Sequence, residues 1–355
     1  MFFCREAEYI FATSKTKRMY KIKYLIIAIF IIGCQVDNEE YVEPVSNQWV
    51  FVACEGNFGA SNGSITMINE LGDVKSVNDL GDIVQSVEVY KNKLFVIINN
   101  SHKIMAFDIT ADGLRLPGIE IDTNESSPRE MQIINDKLYF TNWNSSDVKI
   151  LNLNNYVIEE SIKVDGKPES IVVDGTDLWV GIQMNDDYSD GNKLLKINTV
   201  SNSISETFEI GKGPTSLTVV NNNVYVANTY YDANYNAFYG SSKLNAISKE
   251  VDINYYGSGV VCGGDVLNYN NDIFRSFSGG AAKLGSDLKI LEQTKIGSYD
   301  AAHLYSSEII GDYIYFGITD YNETNQVKVV DFNNNEVASY DVGLFPGDFA
   351  FWSLN

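Results

Sequence analysis

A seven-bladed β-propeller of four-stranded antiparallel blades is the fold this sequence predicts. Three observations carry the prediction. A strand motif with an aromatic centre recurs along the chain at Phe51, Phe95, Tyr139, Trp179, Tyr225, Phe274 and Tyr315. The steps between these positions average about 44 residues, the period of a blade of four strands. Nothing with helical period and helical length stands out after the N-terminal segment, whereas alternation of period two is frequent. Finally, the aromatic strand near Gln48 has no inner strand before it, and the C-terminal run Phe345–Trp352 supplies one. Shared strands would close the ring and remove both open edges.

The chain begins with an export segment. Lys21 and Lys23 precede a short apolar run from Tyr24 to Ile32, and Ile31-Ile32-Gly33-Cys34 follows. A membrane span needs ~20 apolar residues, and this run is about half that. The pattern is that of a cleaved signal ending at a lipidated cysteine, Cys34, with Ile31 departing from the usual Leu. Residues 1–33 are therefore expected to be removed, with Met19 as a second candidate start. Residues 34–46 form an expected flexible tether, and residues 47–355 the propeller. The acidic cluster Asp37-Asn38-Glu39-Glu40 resembles the surface-export signal of Bacteroidetes lipoproteins. The expected location is the outer membrane, lipid-anchored and facing outward.

The blade elements follow in order. Each aromatic strand has a strand and a polar turn before it, as in Glu130–Ile134 with Asn135-Asp136, and Ser216–Val220 with Asn221–Asn223. A third strand follows, such as Lys103–Phe107 or Val148–Leu151, and then a fourth, such as Ser161–Val164. Inner strands are expected to start near Ile83, Pro128, Pro168, Pro214, Val260, Ala302 and Pro346.

Composition narrows the function. The 355 residues carry 26 Lys+Arg against 47 Asp+Glu, a formal charge of -21. Residues 1–33 hold six of the basic side chains and two of the acidic ones, so the rest carries 20 against 45, a net of −25. Such a body repels nucleic acid and anionic lipid headgroups. Contact with the membrane is then expected through the lipid anchor alone. Of the four cysteines, Cys54 and Cys262 fall in the propeller two blades apart, and both read as buried small hydrophobes.

In a propeller, the links into the inner strands and the loops after the second strands share one face. Here those loops hold Glu55, Asn57 and Phe58; Asn99, Asn100 and His102; Arg129; and Asn142 with Trp143. The longest, Ala227 to Lys243, holds Tyr230, Tyr231 and Tyr235. Aromatic faces and amides together can stack on and hydrogen-bond a large, mostly neutral ligand. Packing of the same aromatics on one another is the other reading.

Catalytic signals are missing. His102 and His303 are the only histidines, and no spacing gives a metal pair its third ligand. Asp186–Gly191 resembles part of a calcium loop, but Tyr188 and Ile197 fall where ligands are required. No nucleophile elbow, zinc motif or phosphate loop occurs. No enzyme activity, cofactor or metal is expected.

Several segments together resemble the surface propeller lipoproteins of Bacteroidetes, of the broad YncE-like, YVTN type. These are Glu55-Gly56-Asn57-Phe58, Gly81–Ser86, Asn99-Asn100-Ser101-His102, Ser127-Pro128-Arg129, Gly213–Ser216, Asn271–Arg275 and Val342–Gly347. Cys54, just before the first, departs from the polar residue expected there. The resemblance covers roughly residues 47–352. It implies capture of cobalamin or another corrinoid at the cell surface and delivery to a TonB-dependent outer-membrane transporter. A surface scaffold or adhesin that binds protein or glycan through the same face is the alternative.

Overall fold

The computed structural model describes residues 47–259, 264–322 and 325–354. The expected signal peptide, Cys34, the tether and Cys262 lie outside these residues. Among the described residues, no helix is long and apolar enough to cross a membrane.

Seven antiparallel sheets follow one another along the chain. In chain order the strands are β1 (Gln48–Cys54), β2 (Gly63–Asn69), β3 (Val74–Gly81), β4 (Val84–Tyr90), β5 (Lys93–Ile98), β6 (Lys103–Thr110) and β7 (Gly113–Asp122). Next come β8 (Pro128–Ile134), β9 (Lys137–Asn142), β10 (Asp147–Asn152), β11 (Val157–Lys163), β12 (Lys167–Asp174), β13 (Asp177–Met184), β14 (Asp190–Asn198) and β15 (Ser203–Glu209). The last are β16 (Pro214–Val220), β17 (Asn223–Tyr231), β18 (Ala237–Asn245), β19 (Val251–Ser258), β20 (Val266–Tyr269), β21 (Asp272–Phe277), β22 (Gly280–Lys283), β23 (Leu304–Ile310), β24 (Tyr313–Thr319), β25 (Asn325–Asp331), β26 (Glu336–Asp341) and β27 (Pro346–Ser353).

The first blade has the order β27-β1-β2-β3, so the two ends of the propeller share it. The closing pair is antiparallel, with Trp49 opposite Trp352 and Phe51 opposite Ala350. The ring closure expected from the sequence is thus the closure the fold uses.

The repeated aromatic has a single packing reason. Each one lies in the cluster that joins its blade to the next. Phe51 packs with Leu94 and Val96, Phe95 with Leu138 and Phe140, and Tyr139 with Leu178 and Val180. Trp179 packs with Val224 and Val226, Tyr225 with Ile273, and Phe274 with Ile314 and Phe316. Tyr315 then meets Val50 and Val52 of the first blade. A large ring fills the wedge between twisted sheets, and its burial supplies apolar area of ~150–250 Å² each time.

Three details differ from the expectation. The sixth blade has three strands, β20-β21-β22. Its edge is covered by irregular chain, with Ala281 bridged to Ile296 and Leu284 to Ile290. The inner strand of that blade starts at Val266, six residues beyond the expected Val260. The segment Ala227–Lys243 is also no long loop. β17 and β18 extend as a hairpin to Tyr231 and from Ala237, leaving only residues 232–236 as the turn. Asp232 builds that turn by accepting the backbone N–H groups of Asn234 and Asn236, each at 2.8 Å.

Candidate functional site: one mouth of the propeller

The inner strands enclose a central cavity of about 380 Å³, lined by residues of all seven blades. Five carboxyl groups face it: Glu88, Glu130, Asp265, Glu308 and Asp348. Burial pushes each one upward. Glu88 and Glu308 rise to about 8 and Asp348 to about 7. Glu130 and Asp265 also lie above the usual range, burial being the main cause, with the neighbouring carboxylates adding to it for Glu130. Glu88, Glu308 and Asp348 therefore hold protons near neutrality that free carboxylates would have lost. Among the described residues, no group of acidic, His or Cys side chains has the geometry to hold a metal ion.

A polar plate covers this cavity on the predicted ligand face. Arg129, at the start of β8, donates through Nε and Nη2 to both carboxylate oxygens of Glu169 on β12, at 2.9 and 2.7 Å. Its Nη1 donates to Gln85 Oε1 of β4 at 2.7 Å. Burial alone would lower the Arg129 pKa, but Glu169, Glu130 and Glu55 outweigh it and the guanidinium stays charged. Glu55 lies beside this group and is bonded by the Tyr305 hydroxyl; burial still raises its pKa.

Around the plate the second-strand loops and the end of β17 carry exposed rings. Phe58 is 79% exposed, Tyr188 65%, Tyr321 48%, Tyr231 40% and Tyr235 87%. Tyr305, Tyr321 and Phe345 form a second aromatic group, with centroids 5.9 to 6.2 Å apart. Tyr230 stacks on Phe238 at 5.6 Å and meets Tyr255 edge-on at 5.1 Å. The Tyr230 hairpin comes this close because residue 213 is glycine. Its φ is +58°, and a Cβ there would meet Thr229 O at 1.7 Å.

The sequence-predicted residues divide by role. Asn57 is exposed, and its N–H donates to Asn62 Oδ1 at 2.8 Å. Asn100 Nδ2 donates to Asp82, which also caps Gly59 N–H and so holds the Phe58 loop against the second blade. Asn99 Nδ2 bridges to Ser127 Oγ and Pro128 O at 3.0 and 2.8 Å. His102 Nδ1 accepts the Ser127 N–H at 3.2 Å. These contacts tie the second blade to its neighbours. Asn142 is fully buried: it accepts from Ser126 Oγ at 2.6 Å and donates to Phe140 O at 2.9 Å. It therefore presents no group to a ligand. Trp143 covers the Arg129 guanidinium at 4.6 Å, while Tyr230 and Tyr231 lie on the fifth-blade hairpin, Tyr230 over Lys212 at 5.3 Å.

Sequence reasoning missed Glu169, Gln85, Tyr188, Tyr305, Tyr321 and Phe345. A signal existed for three of them. Pro128-Arg129 and Pro168-Glu169 are one blade step apart, at the same position of successive inner strands. Tyr188 and Tyr321 occupy the loop after the second strand, as Phe58 and Trp143 do.

The fold and this mouth define the chain as a seven-bladed β-propeller with an aromatic-rimmed, polar-centred face. No family model matches the chain, and no curated protein matches it in sequence. Solved structures share the architecture. A hypothetical selenium-binding protein from Sulfolobus tokodaii aligns at 9% identity and TM-score 0.60, over 88% of this chain and 92% of its own. The apo form of AztD from Citrobacter koseri aligns at 11% identity and TM-score 0.55, over 86% and 98%. The computationally designed protein Ika8 aligns at 11% and 0.56, over 86% and 96%. At such identities the likeness concerns the fold.

Proposed function

We propose that this propeller is a binding protein that takes a corrinoid such as cobalamin across its mouth and passes it to a TonB-dependent outer-membrane transporter. Lipidation of Cys34 would hold it at the outer face of the membrane. It resembles, in the segments quoted above, the cobalamin-capturing surface lipoprotein BtuG. The observation that carries the reading is the rim: Phe58, Tyr188, Tyr235 and Tyr321 on second-strand loops and turns, and Tyr231 at the end of β17, are all exposed on one face. Flat apolar surface with amide-rich edges needs such cover, and buried-aromatic anchors supply most of the affinity in interfaces of this kind. The Arg129 guanidinium over the centre is already paired with Glu169 and bonded to Gln85. That arrangement suits holding a ligand better than transforming one, so no catalytic role is included.

The test is titration of the purified chain with cobalamin, followed by calorimetry and visible absorbance. Heat with a corrin spectral change is expected. Absence of both would sink the corrinoid reading. A protein or glycan partner would then move ahead, with the exposed tip at Tyr235 as its contact.

A further inference from the structure

A cation at or just before the start of an inner strand, roofed by an aromatic of the same blade, recurs in three successive blades of the mouth. Arg129 lies under Trp143 at 4.6 Å, Lys167 under Tyr188 at 4.4 Å and Lys212 under Tyr230 at 5.3 Å. Two of the three have carboxylate partners. Arg129 pairs with Glu169 at 2.7 Å, and Lys212 approaches Asp190 at 3.8 Å. Lys167 is 7% exposed, yet among the described residues it forms no ion pair. Its Nζ donates only a long bond, 3.5 Å, to the Trp143 carbonyl oxygen. A buried ammonium in a body of net −25 with no anion beside it is an exception that asks for a partner.

A second orphan lies in the same pair of residues. The chain has four tryptophans. Trp49 donates its indole N–H to Thr110 O, Trp179 to Asp174 Oδ2 and Trp352 to Asn92 Oδ1, all at 3.0 to 3.1 Å. The indole N–H of Trp143 is buried with no acceptor. The Trp143 indole N–H therefore lacks an acceptor, and Lys167 Nζ reaches only the Trp143 carbonyl oxygen, where the third and fourth blades meet the mouth. The Tyr188 ring lies over Lys167 Nζ at 4.4 Å. Tyr188 is 65% exposed and sits on a tight turn closed by its own N–H to Asn185 O at 2.9 Å, with φ of 64°.

We propose that the ligand of this face carries an anionic oxygen group, a phosphate ester, and that Lys167 with the Trp143 indole N–H receives it when the Tyr188 ring moves aside. This rests on the reading that this mouth is the ligand face. It adds the chemical class of one group on that ligand. The aromatic rim serves the neutral bulk, and Lys167 supplies the charge-assisted contact, shorter and stronger than a neutral bond.

The experiment uses the full chain, labelled with 15N, and phenyl phosphate as the probe. The Trp143 indole N–H signal is assigned by its loss in Trp143→Phe. Phenyl phosphate should shift that signal saturably, while benzyl alcohol, its neutral counterpart, should not. Lys167→Gln should weaken the response about tenfold or more, and Lys167→Arg should keep it. Unchanged signals from the other three indoles show that each variant is folded. No shift in the wild type, or an equal shift in Lys167→Gln, overturns the inference. Cobalamin titration of the same sample separates the two readings. Heat with cobalamin but no phosphate response removes the oxyanion site and leaves the corrinoid. A phosphate response without cobalamin heat does the reverse.

Discussion

Glu88→Gln tests whether the central cavity sets the pH dependence of folding. Glu88 sits on the innermost strand of the second blade, next to Asp348 on the adjacent β27, whose carboxylate accepts the Val87 N–H at 2.8 Å; burial first, and Asp348 second, push its pKa to about 8 from an ordinary 4.5. The folded state thus keeps a proton that the unfolded chain releases. Where the native state binds more protons, stability falls as pH rises. For Glu88 this loss begins near the ordinary value of 4.5 and is complete above about 8. The full shift corresponds to an upper bound of ~5 kcal/mol. Removing one acid also relieves its repulsion with Asp348, and the cavity admits water, so ~2 kcal/mol is a working magnitude. For a domain of this size that is about 3 °C in Tm. Thermal unfolding followed by circular dichroism at pH 5 through 9, in 0.15 M salt, reads the effect. Wild-type Tm should fall as pH rises from 5 to 8. Glu88→Gln should unfold about 3 °C higher than wild type at pH 8 and within a degree of it at pH 5. A variant whose pH slope equals the wild-type slope would show that Glu88 is ionised and solvated in the fold, contrary to this reasoning.

Three further outcomes are expected. Glu169→Ala leaves the largely buried Arg129 guanidinium without its carboxylate, a loss of ~3–5 kcal/mol by chemical denaturation; adding Arg129→Leu should recover part of it, and equal loss in both would refute the pairing argument. Trp143→Ala and Tyr231→Ala should each weaken cobalamin binding by about 30-fold, as hot-spot aromatics do, while Asn222→Ala on the opposite face should leave it unchanged by calorimetry. Cys34→Ala should move the protein from the membrane fraction to the soluble one; retention in the membrane would remove the lipid anchor from the proposal.

Legibility in the sequence followed the physics of each contact. The blade repeat was readable because one aromatic per blade fills one inter-blade wedge, seven times over, from Phe51 to Tyr315. Closure was readable because an inner strand was missing at one end and present at the other. The reduced sixth blade was not readable. Its edge ends in Gly279-Gly280, where a Cβ on Gly280 would meet Ile296 O at 2.3 Å, and the covering chain pairs by two isolated bridges rather than by a periodic strand. The Tyr230 hairpin was hidden for a similar reason, since its strands carry Asn, Gly and Ser among the tyrosines and lack the alternation of a half-buried strand. Asn142 was misplaced because its amide type fits both a ligand contact and a buried bridge. Only its zero exposure and its bonds to Ser126 and Phe140 decide between them.

The closing of the ring and the shape of the mouth depend on the same residues. The chain just before β27 runs along the chain just after β1, where Glu55 N–H donates to Phe345 O at 3.0 Å and Gly56 N–H to Leu344 O at 3.1 Å. Phe345 then packs with Tyr305 and Tyr321, and Tyr305 bonds the Glu55 carboxyl beside Arg129. One wall of the mouth is therefore assembled only when the C-terminal strand has joined the N-terminal one. The cation-bearing wall, from Arg129 to Lys212, lies instead within consecutive blades and forms without closure. A ligand that spans both walls would contact the first and last blades together, and by binding only the closed ring it would stabilise the closing blade by an amount that grows with the logarithm of its concentration over Kd.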